Sequence, residues 1–505
     1  MIETWGHLLF GFQVALQPEN LGLALAGALL GTIVGVLPGI GPVGGIAILL
    51  PLTFRLPPAS AMIMLTAVYY GTMYGGSTTS ILMNVPGEAS SVVTAFDGYA
   101  MAQQGRAGPA LAIAAVGSFI AGTLSILALT FFSPLVANWG LTFGPPEYFG
   151  LMLFGLSAVS SLAGDSLVKA LLSMGFGLML ATVGTDLVTG VPRYTFNIPY
   201  LLDGIDFVVV VIGLFAISEV LVSVEEARGE LRFPVRLERI WLSMRDFAES
   251  FWAIIRGSVI GFYIGILPAA GATIASFLSY SVEKQLARDP STFGRGDIRG
   301  VASPESANNA AAVGNMIPML TLGIPGSSTT ALMMGALLVL NVFPGPTLFQ
   351  EHPDVVWGLV ASMYVSNLVL LILNLPLVGL FVRILYIPER LLLPLILSIC
   401  VIGTYAVNFS AFDLLTMTVL GLVAYVMRKN DFPLGPAILG LVLGDLMEQN
   451  LRRALIMSRG SIAIFFTRPV TAVLIVLSVI SLFTPVLLTL LRRRRANEEH
   501  PRAVA

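Results

Sequence analysis

The sequence predicts an all-α polytopic membrane protein made of two structural repeats of inverted topology, with re-entrant hairpins and broken helices. Three observations carry that expectation. Of 505 residues, 56% are hydrophobic and 11% charged, with a mean hydropathy of +0.87, whereas about a quarter of a soluble domain is charged. Apolar runs long enough to cross about 30 Å of hydrocarbon, at about 20 residues each, recur between residues 21 and 491 and imply ten to thirteen membrane segments, some re-entrant. The stretch Met73–Ser91 also returns, altered, as Val313–Thr330. Each is an apolar run, then Val/Ile-Pro-Gly, then small hydroxyl residues, the pattern of a helix interrupted at membrane depth.

Residues 1–20 form an N-terminal segment with Glu3 and His7 but no Lys or Arg, so the positive start of a secretory signal is missing. The first repeat is expected over 21–223 and the second over 251–447. Gly31–Gly41 matches Gly261–Gly271 at an offset of 230, and Pro86-Gly87 matches Pro325-Gly326 at 239. Pro146-Glu147 then matches Pro388-Glu389 at 242, and Leu171–Met174 matches Leu414–Met417 at 243. Four matches in one order, with a slowly growing offset, argue for duplication.

The linker 224–250 carries Arg228, Arg232, Arg236, Arg239 and Arg245, which place it in the cytoplasm. The charged loop 283–300 and the basic tail 492–505 are expected on the same side, with a C-terminal membrane segment over 448–491. Residues 251–282 would then enter and leave on one face, turning at Pro268 and Gly271. Pro38, Gly39 and Gly41 would turn the counterpart hairpin from the other face, as inverted repeats do.

Several chemistries are excluded. A net charge of −2 gives no footprint for nucleic acid, and Cys400 alone allows no intrachain disulfide or Cys-based metal site. His7, His352 and His500 are scattered, so no metal or cofactor site is expected. No Gly-Lys dipeptide exists to build an ATP-binding loop. An intramembrane hydrolase would lack a histidine base for its nucleophile, so the chain is not read as an enzyme.

The two interruptions are the candidate site. A helix that begins inside the bilayer presents unpaired N–H groups and about half a positive charge, which suits a carboxylate. Substrate-binding candidates are therefore Ser77, Thr78, Thr79, Pro86, Gly87, Ser90 and Ser91 in the first repeat, with Pro325, Gly326, Ser327, Ser328, Thr329 and Thr330 in the second. Polar groups costly in lipid are the candidates for a coupling ion: Asn84, Asn308, Asn309, Thr321, Glu88, Glu305 and Asp97, with Asn315 nearby. Each has a plainer reading. Prolines kink helices, hydroxyls bond back one turn, Gly75-Gly76 closes a helix contact, asparagines bridge helices, and carboxylates cap helix starts or sit in solvated loops. From the residues alone the chain reads as an ion-coupled transporter or a channel for an anion.

Gly35–Gly39, Tyr74–Ser77, Asn84–Glu88, Asp97–Tyr99, Gly105–Gly108, Pro304–Ala310, Gly323–Ser327, His352–Asp354 and Trp357-Gly358 together resemble the large membrane subunit of the tripartite tricarboxylate transporter family. The resemblance implies a multi-pass protein of the bacterial inner membrane, and the tail arginines Arg492–Arg495 put its C-terminus in the cytoplasm. It implies import of a di- or tricarboxylate, or an aromatic carboxylate, driven by a sodium or proton gradient. Its partners would be a small membrane subunit and a periplasmic solute-binding protein, in a lipid bilayer, with oligomerisation open. The rival readings are an anion channel, a non-transporting membrane scaffold and an intramembrane enzyme.

Overall fold

The computed structural model describes residues 2–37, 40–157, 159, 166–186, 189–226, 240–268, 271–384 and 389–483. The turn residues Pro38 and Gly39, the linker arginines Arg228 to Arg239, the repeat match at Pro388 and the tail 492–505 lie outside the described residues.

The chain is helical almost throughout. In order come α1 (Ile2–Ala15), α2 (Pro18–Val36), α3 (Gly41–Leu49), α4 (Pro58–Met83), α5 (Val92–Gln103), α6 (Ala107–Gly140), α7 (Pro145–Ser157) and α8 (Leu167–Ala181). A two-residue antiparallel pair follows, β1 (Gly184–Thr185) with β2 (Pro192–Arg193). Next are α9 (Phe207–Val211), a π-helical turn over Ile212–Ile217, α10 (Ser218–Glu226), α11 (Met244–Ile266), α12 (Gly271–Leu286), α13 (Arg299–Gly314), α14 (Met316–Leu322) and α15 (Ser328–Val339). The described chain ends with α16 (Leu348–Glu351), α17 (Pro353–Asn374), α18 (Val378–Ile384), α19 (Glu389–Asn408), α20 (Ala411–Lys429), α21 (Gly435–Met457), α22 (Ile464–Thr467) and α23 (Pro469–Phe483).

Among the described residues, seven helices are long and apolar enough to cross a membrane, and four further apolar helices are shorter. The ten to thirteen membrane segments read from apolar runs, some of them re-entrant, take in both classes. Where glycine, proline and hydroxyl residues enter the runs the helices are short: the apolar stretch 308–342 is divided among α13, α14 and α15.

The chain forms two compact units, each drawing on both halves of the sequence. One is Met1–Leu141 with Asp206–Val426; the other is Thr142–Ile205 with Met427–Ala505. In the first unit, α2 lies on α4 and α11 lies on α13 at a separation that only glycine permits. A Cβ on Gly27, Gly31 or Gly35 would stand 2.5, 2.3 or 2.5 Å from the carbonyl oxygen of Met64, Val68 or Thr72. A Cβ on Gly257, Gly261 or Gly265 would stand 2.4, 2.2 or 2.5 Å from that of Ser303, Ala307 or Ala311. Adding 230 to each first-half glycine and 239 to its carbonyl partner reproduces the second set. Small residues bring membrane helices close enough for dense van der Waals contact, which substitutes for the hydrophobic drive that lipid does not supply.

The second unit has a similar seam, where a Cβ on Gly440 would stand 2.3 Å from the Met174 carbonyl oxygen. Two clusters of charges fasten it. Arg452 reaches Asp186 and Glu448 at 2.7 and 2.6 Å, and Arg468 reaches Glu147 at 2.8 Å.

Candidate functional site

Both interruptions fall in the first unit and take the same backbone path. Helix α4 stops at Met83, and Asn84 turns into the left-handed region at φ 56°. Pro86-Gly87 follows, and Glu88 is extended at φ −149°, ψ 165°. The Glu88 N–H donates to Ser91 Oγ at 3.4 Å, and a single 3-10 turn over Ala89–Ser91 leads into α5. In the other half α14 stops at Leu322, and Gly323 is left-handed at φ 67°. Pro325-Gly326 follows, and Ser327 is extended at φ −156°, ψ 169°. Its N–H donates to Thr330 Oγ1 at 2.8 Å, and the Thr330 N–H donates back to Ser327 Oγ at 3.2 Å, the reciprocal cap that fixes a helix start. Asn84 and Gly323, Glu88 and Ser327, and Ser91 and Thr330 are each 239 residues apart. A left-handed residue ends a helix readily when it is Gly or Asn, and the proline after it cannot continue the ladder.

Helix α13 joins the two interruptions, and it is buried on every side from Gly300 to Gly314. Near its middle Glu305 is fully buried, with the Ser77 hydroxyl of α4 donating to one carboxylate oxygen and the Thr94 hydroxyl of α5 to the other. One turn on, Asn308 Nδ2 donates to Glu88 Oε1 at 2.9 Å, and Ser90 Oγ donates to the same oxygen at 2.6 Å. Asn309 Nδ2 donates to Ser118 Oγ of α6 at 2.7 Å. Just past the end of α13, Asn315 Nδ2 donates to the Tyr69 hydroxyl at 3.4 Å.

Two glycines make room for this arrangement. A Cβ on Gly76 would stand 3.1 Å from Glu88 Cγ, and one on Gly326 would stand 2.7 Å from Asn315 Oδ1. The amide oxygens Asn308 Oδ1 and Asn315 Oδ1 are buried without a hydrogen-bond partner. Glu88 and Glu305 are bonded by hydroxyls and an amide, and among the described residues no cationic side chain pairs with either. Glu305 is fully buried and Glu88 half-buried, so both carboxylates leave bulk water with neutral donors alone around them. No group of three or more His, Cys, Asp or Glu able to hold a metal occurs among the described residues.

The remaining candidates are spread more widely. Thr78 lines a void of about 10 Å³ with Tyr74, Ser77 and Ser118, room for about one water. Thr79 and Ser80 bond back to the Gly76 carbonyl, Ser80 also reaches Ser91, and Thr321 bonds back to Ile317. Pro86 is half-buried, Gly87 and Pro325 are buried, and Asn84 is exposed at its bend. Ser328 is half-buried in the first turn of α15, and Thr329 and Thr330 are buried there.

Asp97 stands apart from the interruptions. Its Oδ1 accepts the N–H groups of Gly294, Gly296 and Asp297 at 2.8, 2.9 and 2.9 Å, and its Oδ2 accepts the Tyr280 hydroxyl at 2.9 Å. It fastens α5 to the loop before α13. Of the hairpin residues, Gly41 has φ 60° and faces the Gly87 carbonyl, whereas Gly271 has φ 65° with open space beside it and Pro268 follows the end of α11. Sequence reasoning missed Tyr69, Thr94 and Ser118. Ser118 is a hydroxyl inside an apolar run, which is a signal that could have found it; Tyr69 and Thr94 carry no such signal.

Residues 21–439 match the family described as "Tripartite tricarboxylate transporter TctA family". The chain belongs to this family. TctA proteins are the large subunit of a tripartite transporter that also has a small membrane subunit and a periplasmic binding protein, and the family is one of transporters rather than enzymes. Two proteins of Agrobacterium vitis are similar to this TctA chain. One, described as "Uncharacterized 52.8 kDa protein in TAR-I ttuC' 3'region", is 47% identical over 475 residues, 94% of this chain and 95% of its own length. The other, described as "Uncharacterized protein in TAR-II ttuC' 3'region", is 45% identical over 234 residues, 46% of this chain and 97% of its own length. No solved structure matches this chain.

Proposed function

We propose that this chain carries a small organic anion, a di- or tricarboxylate or an aromatic carboxylate, across the bacterial inner membrane as the large subunit of a secondary transporter. A periplasmic binding protein delivers the solute and a sodium or proton gradient drives uptake. The observation that carries this reading is the pair of helix starts, Glu88–Ser91 and Ser327–Thr330, in one backbone geometry and joined through α13 by the Glu88–Asn308 bond and the Asn315–Gly326 contact. Unpaired N–H groups at such starts suit a carboxylate. Ser327, Ser328, Thr329 and Thr330 supply further donors at the second start, as Ser90 and Ser91 do at the first. Asn308 Oδ1 and Asn315 Oδ1, without partners, suit a coupling cation or a substrate hydroxyl.

Uptake of a radiolabelled carboxylate panel into vesicles holding this chain with its small subunit and binding protein tests the reading, with sodium and proton gradients imposed separately. Saturable accumulation that follows one gradient, weakened by Ser327→Ala in correctly folded protein, supports it. Equilibration without accumulation would mean an anion channel, and no flux with intact protein would return the scaffold reading.

A further inference from the structure

The two helix starts share a backbone but differ in one side chain. Where the second start carries Ser327, the first carries Glu88. Both lead into helices of 12 residues, α5 and α15, long enough for an appreciable positive end. At the first, the protein's own carboxylate is present: Glu88 is held over α13 by Asn308 and Ser90, with Gly76 left bare to admit its methylene. At the second, Ser327 and Thr330 cap each other and bring no charge. Beside that second start Asn315 Oδ1 is fully buried, has no partner and lies against Gly326, an acceptor for a substrate hydroxyl next to the carboxylate.

We propose that Glu88 is a specificity-determining residue, a resident carboxylate that occupies the first helix start and leaves the second, Ser327–Thr330, to receive one carboxylate of the substrate. The proposal rests on the carboxylate reading above and adds which end of the site is open. A second acidic group brought to α5 would meet Glu88, with Glu305 behind it on α13. Two like charges about 4 Å apart repel by several kcal/mol in a partly buried setting. Tyr69 on α4, Asn308 on α13, Ser90 and Ser91, which lie near Glu88, bring no positive charge to offset this. The site therefore reads one carboxylate head and tolerates further acidic groups only where they point away from α5.

The test is binding by the full chain in lipid nanodiscs, measured by calorimetry with matched probes that differ by one carboxylate: butyrate against succinate, and benzoate against phthalate. The wild-type chain is expected to bind both members of a pair within about threefold of each other. Glu88→Ser, which copies the second start onto the first, should raise the affinity for the dicarboxylate member relative to the monocarboxylate by roughly tenfold. Glu88→Gln keeps the shape of the side chain and guards against misfolding of the serine variant; it should move the ratio the same way. An unchanged ratio in both variants overturns the proposal, as does a wild-type preference for the dicarboxylate that either variant abolishes. If no probe binds any of the three chains, the carboxylate reading itself falls and takes the proposal with it.

Discussion

Ser77, in the last two turns of α4, donates its hydroxyl to Glu305 on α13, 228 residues later in the chain. With Thr94 on the other carboxylate oxygen, this bond makes α13 the member to which both α4 and α5 are tied. Ser77→Ala removes one of two donors from a fully buried carboxylate and should lower unfolding stability by about 1–3 kcal/mol. Adding Thr94→Ala should cost more than the sum of the single changes, because the last donor goes with it. Thermal unfolding of the purified chain and the three variants measures both. Additive losses of a few tenths of a kcal/mol would mean that the carboxylate finds other partners.

The contact of Gly261 with the Ala307 carbonyl gives a steric prediction. A methyl group there would stand 2.2 Å from backbone oxygen, which cannot swing away, whereas Gly175 of α8 has nothing within 4 Å. Gly261→Ala should force α11 off α13 and cost about 1–3 kcal/mol or more; Gly175→Ala should be neutral or slightly stabilising. Size-exclusion profiles in detergent and melting temperatures separate the two. Equal behaviour would show that α11 and α13 are less closely apposed than described.

Asp97 provides a third. Its carboxylate accepts three backbone N–H groups at once, and charged bonds of this kind contribute about 1.5–3 kcal/mol each. Asp97→Asn keeps an acceptor oxygen for the three N–H groups and can turn its nitrogen to the Tyr280 hydroxyl, so what it removes is the charge that strengthens those bonds. Hydrogen exchange at Gly294, Gly296 and Asp297 should speed up by roughly tenfold or more as the loop opens locally, while exchange in α17 stays as it was. Unchanged protection of the loop would place its stability elsewhere.

The same loop sets a pH dependence. Burial pushes the Asp297 carboxyl up, but bonds from Arg299 and Thr292 outweigh it and hold the group below the usual carboxylate range. A pKa lower in the folded than in the unfolded chain means stability gained above the unfolded value, about 3.9 for Asp, and lost as pH falls through the folded one. The stability difference between wild type and Asp297→Asn should thus be level near neutrality and shrink below about pH 4. A gap that stays constant into that acid range would mean that Arg299 does not select the ionised form.

Much of this was legible before any coordinates. The match of Gly31–Gly41 with Gly261–Gly271 marked α2 and α11 as counterparts, though not the close contacts their glycines make, and the two Pro-Gly pairs foretold where α4 and α14 end. Asn308 stood out as an amide in an apolar run, and it does meet Glu88. Tyr69 did not stand out, because a tyrosine in such a run reads as packing until its hydroxyl is seen to face Asn315. Thr94 lies three residues beyond Ser91, and only the approach of α5 to α13 brings it to Glu305. Asp97 looked like a membrane-depth acid because its partners are mainly backbone N–H groups, which every residue but proline has and no pattern marks.

The glycine seams also limit how the molecule can move. Three carbonyl oxygens seated in three notches, at four-residue intervals, form a toothed rack on each helix pair. Sliding α2 along α4 by part of that interval would drive side chains onto backbone oxygen, so the teeth hold their register. Each pair then travels as a solid strut. Displacement has to be absorbed at Asn84–Gly87 and at Gly323–Gly326, where the rack has no teeth, and the first of those joints leads directly into Glu88, whose carboxylate is bonded to Asn308 of α13.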